Sequence, residues 1–107
     1  MRIEATEVLW LEQHELSLAQ LLELSGLPPR VLEELLDCGA ITPLPTVGRE
    51  ARFGAAALRA ARTALRLRTD FELDIQALAL ALGLLERVAD LEAQLRELRA
   101  QQPQRIR

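Results

Sequence analysis

The stretch Ala64–Leu98, ALRLRTDFELDIQALALALGLLERVADLEAQLREL, decides the fold, because it holds the longest helical periodicity in the chain. In its second half Leu84, Val88, Leu91, Leu95 and Leu98 follow one another in steps of four, three, four and three. That alternation averages 3.5 residues and keeps one apolar seam turned toward a partner helix. Charges flank the seam: Glu86, Arg87, Asp90, Glu92, Arg96, Glu97 and Arg99. The Glu92–Arg96 pair, four apart with the acid first, stabilises an isolated helix by only about 0.3 kcal/mol. Burying one leucine is worth roughly 1.5–3 kcal/mol before entropy is subtracted, so the seam is expected to supply the stability. The pattern runs to within ten residues of the end of the sequence, with no further element to cover it. A homodimer seam is therefore expected, in preference to a helix folded back on its own domain.

Upstream of this stretch, Ser17 and Gln20 form a capping box ahead of Leu18, Leu21 and Leu22, and Gly26 is placed to end that helix in a left-handed cap. Pro28 and Pro29 suit the first turn of a second helix, with Val31, Leu32, Leu35 and Leu36 on one face and a stop near Gly39. Two short helices joined by a tight glycine turn make a helix-turn-helix. Pro43 and Pro45 break the chain, and Thr46–Phe53, TVGREARF, reads as a hairpin wing with a central glycine. A third helix is expected from Gly54 or Ala55 to about Arg68, buried through Ala57, Leu58, Ala61, Leu65 and Leu67. Asp74 reads as the N-cap of a fourth helix that begins at Ile75 and faces Leu78 and Leu82 inward. Gly83 either loosens the passage into the seam or leaves one continuous rod. Before all of these, Thr6–Gln13, TEVLWLEQ, suits a short strand, with Trp10 as a packing residue. The expected organisation is a module over residues 1–82 and a dimerisation helix with tail over residues 83–107.

Composition narrows the function classes. The chain has 107 residues, room for one small domain with an extension, and Leu and Ala dominate a sequence that is only 3% aromatic. His14 is the single histidine and Cys38 the single cysteine, so neither a metal cluster nor a nucleophile–base pair can be assembled from those types within one subunit. No catalytic residue, metal or cofactor is expected, and an enzymatic reading has little support. No secretory signal or membrane-length apolar run is visible, and a lone cysteine agrees with a reducing compartment, so a cytoplasmic protein is expected.

The net charge of −3 conceals a strong asymmetry. Residues 1–48 carry eight acids against Arg2 and Arg30, residues 49–68 carry six arginines against Glu50, and the remainder carries seven acids against five arginines. The second helix of the helix-turn-helix, the one that would read DNA, offers Arg30 against Glu33, Glu34 and Asp37. DNA affinity grows with the number of phosphates neutralised by Lys and Arg, so a helix of that charge is repelled by the groove. Arg49, Arg52, Arg59, Arg62, Arg66 and Arg68 keep a phosphate-binding patch conceivable, against the plainer expectation that they are solvated or pair with Asp70 and Asp74.

Helix-turn-helix, wing, two further helices and a dimerising helix form the plan of the MerR-like regulators. The run Arg66-Leu67-Arg68, then Asp70, Leu73-Asp74, Leu78-Ala79, Ala81-Leu82 and Leu84-Leu85-Glu86 resembles one branch, the CbpM-type chaperone modulators. The likeness spans about Leu18 to Leu98; Ile75-Gln76 departs from it, where an aromatic followed by proline is expected. The fold implied is mainly α, a MerR-like winged helix-turn-helix with a short N-terminal strand, a wing and a C-terminal coiled coil. The function implied is binding to the J-domain of a CbpA-type, DnaJ-like co-chaperone and inhibition of its work with DnaK. The alternatives are a MerR-like DNA-binding transcriptional regulator and a purely structural coiled-coil adaptor. J-domains present a basic helix, so an acidic surface is the expected contact. Two groups qualify: Asp70, Glu72 and Asp74 with neighbouring Arg68, favoured because the family-like motif lies there, and Glu33, Glu34 and Asp37 on the second helix.

Overall fold

The computed structural model describes residues 14–46, 48 and 50–102. Within them lie four helices: α1 (Leu18–Ser25), α2 (Pro29–Asp37), α3 (Ala55–Phe71) and α4 (Ile75–Gln101). The expected strand at Thr6–Gln13, with Trp10, lies outside the described residues.

Each helix boundary has a local cause. At the start of α1 the Gln20 amide N–H donates to Ser17 Oγ at 3.1 Å and the Ser17 amide N–H donates to Gln20 Oε1 at 2.8 Å, so two otherwise orphaned donors are satisfied reciprocally. Gly26 closes α1 at φ +76°, a backbone conformation that costs a side-chain-bearing residue about 1–2 kcal/mol. Pro29 opens α2, where a missing N–H removes nothing from the helix. Asp74 caps α4, its Oδ1 accepting from the Ala77 amide at 2.9 Å. Between α3 and α4 the turn is made by Glu72 at φ +54°, the single non-glycine residue with positive φ among those described.

The helices enclose one apolar core. Leu21 of α1, Val31, Leu32 and Leu35 of α2, Ala57, Leu58, Ala61 and Ala64 of α3, and Leu78 and Leu82 of α4 are all buried. The small alanines of α3 let its neighbours approach closely, so α1 packs on α3, and α4 packs on both α3 and α2. Leu16, Leu27, Ile41 and Phe53, from the connecting segments, complete the core. Leu18 is 45% exposed. It lies in the first turn of α1, on the same side of the helix as the buried Leu21 and Ser25 three and seven residues later.

The wing differs from a two-stranded hairpin. Among the described residues no strand forms, and the pairing is an isolated antiparallel bridge between Leu16 and Phe53, with both N–H···O distances 2.8 Å. Leu44 N–H donates to the Arg52 carbonyl at 2.8 Å, which brings the two arms of the wing together at one point. The reason is in the sequence: Pro43 and Pro45 flank Leu44 and have no N–H to donate, so a ladder on that arm stops at one rung.

At Gly83 α4 runs on without a break, so the module and the seam share one rod of 27 residues. Burial changes where the secondary structure does not. Leu82 is the last buried residue, and every described residue from Gly83 to Gln102 is exposed.

Candidate functional site: two acidic surfaces and an apolar stripe

The structure sets the candidate residues in three places. The first is the outer face of α2. At 100° per residue, Glu33, Glu34 and Asp37 point about 160° away from the buried trio Val31, Leu32 and Leu35. All three acids are exposed, as is Arg30. The face that buries apolar side chains therefore fixes the direction of the charged one, and α2 turns a net negative surface to solvent.

The second place is the corner between α3 and α4. Arg68, Asp70, Glu72 and Asp74 are all exposed there. They do not form one uniform acidic surface. Asp74 is engaged as the α4 cap, while Arg66 and Arg68 sit one turn back on α3. Phe71, at the end of α3, is 66% exposed beside these charges. Sequence periodicity gave no sign of it, because a single aromatic at a helix end belongs to no repeat.

The third place is the stripe on α4. Leu84, Val88, Leu91, Leu95 and Leu98 are 48–58% exposed. Leu80, four residues before Leu84, is 66% exposed and extends the same stripe by one turn. The stripe points about 145° away from Leu78 and Leu82, so it is a separate apolar face and not an overflow of the core. Leu85, 48% exposed, lies about 100° from the stripe, on the side of Leu78 and Leu82. From Gly83 to Gln101 every residue of α4 is exposed, so this stripe is open to solvent in the single chain.

The arginines are distributed differently. Arg62 lies partly buried, its Nε donating to the Leu24 carbonyl at 3.3 Å, near the end of α1. That contact ties α3 to a helix terminus whose carbonyls lack intrahelical partners. Arg52 stands 3.7 Å from Glu15, an exposed pair worth at most about 1 kcal/mol. Arg59, Arg66 and Arg68 are exposed on α3. A shallow pocket of about 200 Å³ lies between α1 and α3, lined by Ser25, Arg62, Leu65, Arg66, Thr69 and Asp70. Cys38 is exposed at the end of α2. Among the described residues no group of three His, Cys, Asp or Glu side chains is placed to hold a metal ion, and no helix is long and apolar enough to cross a membrane.

Two short helices joined at a left-handed glycine, a wing contact, a long third helix and a projecting fourth define a helix-turn-helix protein of the regulatory type. The family model described as MerR HTH family regulatory protein matches residues 16–100, and the chain belongs to that family. A comparison with curated proteins finds no significant match.

Proposed function

We propose that this chain is a CbpM-like chaperone modulator, a homodimer that binds the J-domain of a CbpA- or DnaJ-like co-chaperone and inhibits its stimulation of DnaK. The observation that carries this reading is the outward face of α2: in the position of a reading helix stand Glu33, Glu34 and Asp37, with Arg30 alone to offset them. Such a surface is repelled by phosphates and attracted to a cationic helix, which steers encounter and fixes orientation. The resemblance of the α3–α4 region to the CbpM branch supports the same partner, and adds Arg68, Asp70, Glu72 and Asp74 as a second candidate contact.

The mechanism is competition. J-domains are expected to receive DnaK on the basic helix beside their His-Pro-Asp loop, and a modulator seated on that helix blocks the approach of DnaK. ATP hydrolysis by DnaK is then no longer stimulated. The modulator needs no chemistry of its own, so the reading is of an interaction protein acting in the cytoplasm, with no cofactor.

Titration calorimetry of the chain with an isolated CbpA-type J-domain tests the proposal. Saturable binding that weakens with salt is expected, and absence of binding at tens of micromolar overturns it. Charge reversal at Glu33 and Glu34, compared with reversal at Asp70 and Asp74, separates the two contact surfaces.

A DNA-binding regulator is the second reading, favoured by the exposed Arg59, Arg66 and Arg68 on α3 and by the family's helix-turn-helix plan. A gel-shift experiment decides it: tight, salt-sensitive and site-selective retention of a promoter fragment would establish the regulator and displace the modulator.

A further inference from the structure

From the shallow pocket between α1 and α3 we infer a binding site for a free apolar α-amino acid of about the size of leucine, held at once by its carboxylate, its ammonium group and its side chain. This inference goes beyond the J-domain reading and does not depend on it.

The pocket is built on two rows of side chains from α3. Arg62, Arg66 and Asp70 follow one another at intervals of four residues, so they climb one side of the helix in steps of about 6 Å. Leu65 and Thr69, also four apart, form a second row next to α1, where the buried Ser25 closes the wall. The end of α1 rests against that second row at Gly26, where a Cβ would lie 3.2 Å from Leu65 Cδ2. Arg62 is drawn to the same end of α1 by its hydrogen bond to the Leu24 carbonyl. The Ser25 hydroxyl accepts from the Leu27 amide at 3.2 Å, so it serves as wall and not as a ligand group.

Charge and size choose the ligand. Arg66 precedes Asp70 by one turn, the less favourable order for an ion pair within a helix, and among the described residues neither side chain takes part in an ion pair or a side-chain hydrogen bond. Two cations and an anion are held in sequence beside an apolar floor of Leu65, the Thr69 methyl and the arginine stems. An inorganic anion would leave that floor uncovered, and a simple carboxylic acid would bring no partner to Asp70. An α-amino acid sets its carboxylate toward Arg62 and Arg66, its ammonium group toward Asp70 and its side chain on Leu65. The forked guanidinium suits the first of these contacts. The volume of about 200 Å³ is below the roughly 300–1,000 Å³ of pockets for drug-sized ligands and above the roughly 150 Å³ that encloses benzene, so an amino acid fits and a nucleotide does not.

The test is titration of the full chain with L-leucine, followed by calorimetry and by amide NMR shifts. A dissociation constant on the order of 0.1–1 mM is expected for so small a ligand in an open pocket, with the shifts gathered at Gly26, Leu65, Thr69 and Asp70. The analogue 4-methylpentanoate lacks the ammonium group, isopentylamine lacks the carboxylate and glycine lacks the side chain. Each is expected to bind at least about tenfold more weakly, since each leaves one part of the pocket without a partner. Asp70→Asn is expected to remove the preference for leucine over 4-methylpentanoate, and Arg66→Gln to weaken binding of both about tenfold. Both positions are exposed, so circular dichroism should be unchanged. A side chain with a purely structural role would leave that preference intact. Absence of shifts at about 10 mM leucine overturns the site. Equal binding of leucine and 4-methylpentanoate by the wild-type chain overturns its assignment to an amino acid, whereas J-domain binding is read separately.

Discussion

Reversing Glu33 and Glu34 to lysine is the perturbation that bears most directly on the proposed role of α2. Both side chains are exposed and point away from Val31, Leu32 and Leu35, so the substitution removes no core contact. Folding stability is expected to change by less than about 0.5 kcal/mol, as for other surface substitutions. Binding is a different matter. An exposed ion pair is worth about 0.2–1 kcal/mol, and each reversal exchanges an attraction for a repulsion of similar size. Two reversals are therefore expected to weaken J-domain binding by about 0.8–4 kcal/mol, roughly four- to 800-fold. Calorimetry at low and high salt checks the cause as well as the size. Raising ionic strength from about 0.1 to 1 M shortens the screening length from about 10 to 3 Å, so the gap between wild type and variant should largely close. Circular dichroism of the variant should be unchanged. A variant that binds the J-domain as tightly as wild type at low salt would refute the reasoning, as would a loss of affinity that salt leaves intact.

Four further outcomes test the fold that holds this surface. Gly26→Ala is expected to lower stability by about 1–2 kcal/mol, since the residue sits at φ +76° and a Cβ there would lie 3.2 Å from Leu65 Cδ2; thermal denaturation measures it. Asp74→Ala should cost about 1 kcal/mol through loss of the α4 cap, and Asp74→Ser should recover most of it, both read from denaturant midpoints. Glu72→Gly should raise stability by about 0.5–1 kcal/mol, because glycine relieves a left-handed residue at φ +54° at the end of α3; a lower melting temperature would contradict this. Leu91→Asp, at the centre of the exposed stripe, should convert a dimer to a monomer by light scattering while leaving the core formed by Leu58, Leu78 and their neighbours intact.

What could be read from the sequence follows from where each signal resides. Caps are local chemistry, so Ser17 with Gln20, Gly26 and Asp74 marked their helix ends before any tertiary information was added. The 3.6-residue spacing likewise identified the buried faces of α2 and α3, although Ala64 was overlooked beside the larger Leu65, which lies at the edge of the core. Leu16, Leu27, Ile41 and Phe53 belong to no repeat, and only the folded chain gathers them. The wing was expected as a hairpin from Gly48 between two short extended arms, and a glycine's placement says nothing about donors. Pro43 and Pro45 had already removed two of them. For the candidate site, exposure of Glu33, Glu34 and Asp37 followed from their place opposite the apolar face of α2. The exposed Phe71 and Leu80 did not, since an apolar residue in sequence is ordinarily assigned to a core.

The helix α4 carries two apolar faces that are out of phase. Leu78 and Leu82 commit the first two turns of α4 to the module, and the stripe beginning at Leu80 overlaps those turns from the other side. A hinge at Gly83 would have uncoupled the two. The unbroken rod instead fixes the stripe in rotation relative to α2, which packs on the same helix. Any partner helix laid along the stripe is therefore held at a set angle to the outward acids Glu33, Glu34 and Asp37. In a homodimer that rigid relation is repeated by symmetry, and two acidic faces are presented at a fixed separation. In the proposed homodimer this relation would let both copies hold a co-chaperone at once, and it depends on the continuity of α4 more than on any single contact within the module.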